Sequence, residues 1–122
     1  MQMRMVLLAL VTLLTTSSAR SEVGIYFSAN MMLDYCIDKS DAKTAQQFIN
    51  LNFCRGYVAA IGANSQCGQT QDPDYEHKIP AGVTVDQLVL IFRKYMHDHP
   101  EKLNIDGTFI AAEALAKAFP CK

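Results

Sequence analysis

Thr84-Val85-Asp86-Gln87-Leu88-Val89-Leu90-Ile91-Phe92-Arg93-Lys94-Tyr95-Met96-His97-Asp98-His99-Pro100 is the stretch that decides the fold class. Thr84 stands three residues before Gln87, the spacing of a capping box. In that motif the N-cap hydroxyl accepts from the N3 amide and the N3 side chain reaches back to the N-cap amide. Val85, Leu88, Val89, Phe92, Tyr95 and Met96 then recur at three and four, marking one face of a helix. Pro100 disfavours helical geometry in the residue before it, so the helix ends at about His99.

Working outward, the same period continues in both directions. Downstream, Asn104 or Asp106 could cap a last helix with a buried stripe of Ile110, Ala111, Ala114, Leu115, Ala118 and Phe119, stopped by Pro120. Upstream, Ser28 could cap a first helix running to about Asp38, its stripe formed by Met31, Met32, Tyr35 and Cys36. Lys39-Ser40-Asp41 breaks the pattern. A second helix then covers about Ala42 to Ala63, with Phe48, Leu51, Cys54, Val58 and Ile61 on its apolar face. Gly56 and Gly62 weaken that helix by about 1 kcal/mol each relative to alanine, so both read as points where a neighbour packs closely. No stretch alternates with period two for long enough to form a strand. The expected architecture is all-α, a small disulfide-stapled bundle of four to five helices.

Residues 64–82 interrupt this pattern. The segment is polar, holds Pro73, Pro80, Gly68 and Gly82, and has no helical period. Loops of this length inside a compact domain are uncommon and frequently functional.

The N-terminus reads as a secretory leader. Arg4 supplies the positive end, Met5 to Leu14 the apolar run, and Ser17-Ser18-Ala19 the small residues before a cut after Ala19; a cut after Ser21 is the alternative. The apolar run falls short of the roughly 20 residues that span a bilayer. Residues 1–19 are thus expected to be a signal peptide and 20–122 a single helical domain. Arg4 is the only charged residue of the leader, so the 11 basic residues of the chain fall to 10 after cleavage, against 12 acidic ones. That balance gives no basic stripe for nucleic acid. The mature part has no second apolar segment of membrane-spanning length.

Export sets the chemistry of the four cysteines. In an oxidising compartment an even count in a short domain reads as a disulfide framework, here Cys36, Cys54, Cys67 and Cys121. Three pairings exist. Cys36 with Cys54 would staple consecutive helices and Cys67 with Cys121 would tie the long loop to the chain end; the other two pairings stay open. Oxidised cysteines offer no thiolate for nucleophilic catalysis. His97 and His99 are two apart on a helix and face different ways, so they make a poor metal pair. His77 stands alone in the loop. The sequence has no nucleophile-elbow pattern, no phosphate-cradling glycine loop and no Cys-x-x-Cys. These features point to a binding protein rather than an enzyme, with no cofactor and no metal.

Several segments, taken together, resemble a known family. They are Cys54-Arg55-Gly56-Tyr57-Val58, Ile79-Pro80-Ala81-Gly82-Val83-Thr84 with Gln87-Leu88, Tyr95, His99-Pro100-Glu101-Lys102-Leu103, and Ala114-Leu115 with Ala118-Phe119-Pro120-Cys121. Their order and spacing resemble the Rap/Tai immunity proteins of type VI secretion systems, from about Cys54 to the end with Cys36 as an extension. The resemblance implies an all-helical periplasmic protein, often a homodimer, that binds and blocks a peptidoglycan-cleaving amidase injected by neighbouring bacteria. It assigns Gly56, Tyr57, Pro80, Pro100 and Phe119 to the scaffold. The family usually carries a cysteine directly before Ile-Pro, where this chain has Lys78; either the loop is rebuilt around a moved bridge or the second disulfide differs.

Blocking an enzyme requires occupying its groove, not chemistry. Within the loop, Asp72, Asp74, Tyr75, Glu76 and His77 are the candidate effector-binding residues, with carboxylates for steering and one aromatic anchor. A rival reading is a small periplasmic acid-stress chaperone, which would expose apolar surface as carboxylates protonate. A third is upkeep of the cell envelope on the same scaffold.

Overall fold

The structure, a computed structural model, describes residues 27–122; the leader and its cleavage site lie outside them. It contains four α-helices and, among the described residues, no strand: α1 Ala29–Tyr35, α2 Ala45–Asn64, α3 Val85–Asp98 and α4 Gly107–Ala118. Short 3-10 turns at Lys39–Asp41, Pro73–Tyr75 and Pro100–Lys102 join them. The all-α bundle expected from the sequence is the observed one.

Helix α3 begins as its sequence dictates. Thr84 Oγ1 accepts from the Gln87 amide at 3.2 Å, and Gln87 Oε1 accepts from the Thr84 amide at 2.7 Å. A second capping box, Thr44 with Gln47, starts α2 three residues later than the sequence reading. Ala42 lies before it, buried, beyond the turn that Asp38 caps. Helix α1 stops at Tyr35 instead of continuing to Asp38, because Cys36 leaves helical geometry to meet Cys54.

The core gathers Met32, Val58, Phe92, Met96, Ile110 and Leu115, with Cys36 and Cys54 fully buried among them. Side chains of this size contribute about 1.5–3 kcal/mol each when buried. Three expected core members lie outside. Phe48 is 47 % exposed, Met31 is 40 % exposed, and Ala118 is also exposed. At 20 residues, α2 is the longest helix, and its first turns are incompletely covered.

The start of α1 is sewn to the segment before α4. The amides of Ala29 and Asn30 donate to the carbonyls of Ile105 and Leu103 at 2.8 and 2.9 Å, and the Gly107 amide donates to the Phe27 carbonyl at 2.7 Å. Gly107 is required by this approach, since a Cβ there would sit 2.9 Å from the Tyr57 hydroxyl and 3.0 Å from the Phe27 carbonyl oxygen. Tyr57, assigned to the scaffold, packs its ring against Phe27 and Phe53. Gly56 differs from its reading as a contact point: a Cβ there would meet nothing within 4 Å. Gly62 does pack closely, with the Ile79 Cδ1 atom 3.1 Å from where its Cβ would be.

Candidate functional site

The long loop between α2 and α3 starts from a physical need. The last carbonyls of a helix have no intrahelical partner. The carbonyl of Gly62, near the end of α2, accepts from Nε2 of His77 at 2.9 Å. The His77 amide donates to the Ser65 carbonyl at 3.0 Å, and the Cys67 amide donates to the His77 carbonyl at 3.2 Å. The returning stem thus lies against the helix end. One residue further, the Lys78 amide donates to the Phe119 carbonyl at the end of α4, at 2.9 Å. Cys67 is bonded to Cys121 beside it, and Cys36 to Cys54. The loop is therefore held to both α2 and α4 at its base.

This arrangement corrects one expectation. His77 is completely buried and caps α2, so its ring is not exposed at the surface as the sequence reading required. Its sequence gave no sign of this, because the capped carbonyl lies fifteen positions away.

Glu76 also turns inward. Its Oε1 accepts from the Thr70 amide at 3.0 Å and from Thr70 Oγ1 at 3.2 Å. The backbone amides of Gly68 and then Thr70 hold this carboxyl below its ordinary value, since they favour the charged form. Gly68 takes a φ of +82°, a left-handed conformation that side chains disfavour. Glu76 therefore ties the loop into a closed turn.

Asp72, Asp74 and Tyr75 form the outer part. Asp72 Oδ1 accepts from the Asp74 amide at 3.0 Å, capping the 3-10 turn. Pro73 occupies the first turn position, where its fixed φ fits and no amide is needed. Tyr75 packs on Phe109 of α4, with ring centroids 5.6 Å apart. A groove of about 440 Å³ opens beside that pair, between the loop and the helices. Phe109 was not singled out from the sequence because it stands off the buried stripe of α4. A large aromatic on the outward side of a helix was the available signal.

The other polar cluster is structural. Lys102 Nζ donates to Glu113 at 2.7 Å and to the Tyr95 hydroxyl at 3.1 Å, joining the 3-10 turn, α3 and α4. Burial would raise the Glu113 carboxyl, but the bonds from Lys102 and Tyr95 overcome it and leave it lowered. His99 packs at a tilt against Tyr95, with ring centroids 4.2 Å apart, and its Nδ1 lies 3.1 Å from Glu101 Oε1. Among the described residues no three His, Cys, Asp or Glu side chains gather as metal ligands would, and no helix is long and apolar enough to cross a membrane.

The family model of the Rap1a immunity proteins matches residues 28–121. No curated protein and no solved structure matches the chain.

Proposed function

Since the chain belongs to the Rap1a immunity proteins, whose members bind a cognate effector, we propose that it acts in the periplasm against an injected peptidoglycan amidase. In this reading residues 1–19 direct export and are removed. The protein occludes the amidase and performs no reaction of its own. The observation that supports this beyond the family is the latched loop, whose outer residues Asp72, Asp74 and Tyr75 are fixed at the surface before any partner arrives. A surface ordered in advance loses less conformational entropy on binding, which favours a long-lived complex. The carboxylates speed encounter with a basic rim on the enzyme. A homodimer, as the Rap/Tai resemblance implies, would present two such loops.

The test is periplasmic co-expression with an amidase gene encoded beside this one. Rescue from lysis with co-purification of the pair is the expected result. Replacing Asp72 through Tyr75 by a Gly/Ser linker should abolish rescue while the helical circular dichroism is kept. Full rescue by that variant would remove the loop from the interface.

A further inference from the structure

The groove beside the loop is concave, whereas occlusion by a loop needs only a convex surface. Its floor is Ile61 and Ala112, its walls are Tyr75 and Phe109, and its rim includes Gln71 and Asp72. About 440 Å³ is room for one large side chain. Phe109 is 53 % exposed, so one apolar wall faces water in the free protein. The walls are fixed on both sides: Tyr75 by the closed turn and the Cys67–Cys121 bond, Phe109 by α4.

Charge selects the occupant. Among the described residues Asp72 is the only charged side chain lining the groove, while Asp74 faces a separate hollow beside Lys117. Asp106 Oδ1 already accepts from the Thr108 amide at 2.8 Å, so the positive end of α4 is answered from within the protein. A single carboxylate at the rim of an apolar floor, with no lining cation to answer it among the described residues, favours a residue that is itself apolar and has a cationic neighbour.

We infer that this groove receives one bulky apolar side chain, flanked by lysine or arginine, from the partner protein. The site follows from the geometry alone; that the partner is the effector amidase rests on the immunity reading above. The protein is a socket as well as a plug.

Two arms test this. In the first, methyl and aromatic NMR signals of the mature protein are followed against the peptides acetyl-Lys-Trp-Lys-amide and acetyl-Glu-Trp-Glu-amide. The lysine peptide should shift Ile61, Ala112 and Phe109 and bind at least five-fold more tightly than the glutamate peptide. Gln71→Lys should weaken the lysine peptide several-fold and Gln71→Glu should strengthen it, with neither change touching the core. No shift at these three residues, or equal response to both peptides, overturns the inference. In the second arm the amidase is titrated against wild type, Phe109→Ala and Ala112→Leu, with the fold checked by thermal melting. At least a ten-fold loss is expected for each folded variant. If wild type binds and both variants bind equally well, the groove is not used and the inference falls alone. If wild type does not bind the amidase at all, the immunity reading falls, and the peptide arm still decides the groove. A dimer of the free protein that Phe109→Ala takes apart would assign the groove to a second copy and overturn the inference.

Discussion

The two disulfides do different work in one small molecule. Cys36–Cys54 closes 18 residues inside the core, with both residues fully buried among α1, α2 and their neighbours. Cys67–Cys121 closes 54 residues at the surface, with both residues exposed, and fastens the loop to the end of α4. Loop-closure entropy alone ranks the longer ring higher, about 4 kcal/mol against about 3. Surroundings reverse that order, because emptying a packed interior adds a cavity cost that a hydrated site lacks. The core bond adds to packing in the interior; the surface bond holds the loop to the end of α4.

The largest expected effect breaks the comparison at its core end. Cys36→Ala with Cys54→Ala should lose about 4–5 kcal/mol in urea denaturation, about 3 from closure and the rest from the cavity. Cys67→Ser with Cys121→Ser should lose about 2–3 kcal/mol, less than the closure figure, as surface bonds commonly deliver. In that variant, amide exchange should accelerate at residues 66–78 while α3 stays protected. A reversed order of the two losses would show that chain entropy outweighs packing here.

A glycine pair sharpens the same contrast. Gly62 faces Ile79 on the returning stem of the loop, so Gly62→Ala should cost about 1 kcal/mol once crowding exceeds the gain in helix propensity. Gly56 faces open space, and Gly56→Ala should gain about 0.5–1 kcal/mol. Thermal melts of the two variants should move in opposite directions.

The smallest effect belongs to acid and to the loop. Glu76 has a folded value below its ordinary 4.5, so its charged form is the one the closed turn favours. Its contribution is complete above about pH 4.5 and is lost as pH falls through the lowered folded value. Protection factors at residues 68–76, measured against the intrinsic exchange rate at each pH, should therefore fall on acidification below that point, ahead of those of α3. Glu76→Gln should flatten this dependence, leaving the loop equally open at pH 6 and pH 3.5.

Local signals were legible in the sequence and distant ones were not. The capping box at Thr84, the stop at Pro100 and the caps Ser28 and Asp106 are written within a few residues, and each operates as read. The box at Thr44 is equally local; the apparent helix start at Ala42 masked it. Helix α2 carries apolar residues on two faces, so periodicity alone could not separate Phe48 from Leu51 and Cys54. The loop was visible as a polar, proline-bearing interruption. Its docking was not, because His77 with Gly62 and Tyr75 with Phe109 meet only in three dimensions.

The supports of the loop lie at its base: the Cys67 bond, the capping ring of His77 and the amide of Lys78. Residues 71–74 lie between these anchors, outside the buried interior. Exchanges of the exposed Gln71 and Asp74 side chains, which do not cap the turn, carry little penalty in folding. Such positions can vary in sequence while the interior is inherited unchanged.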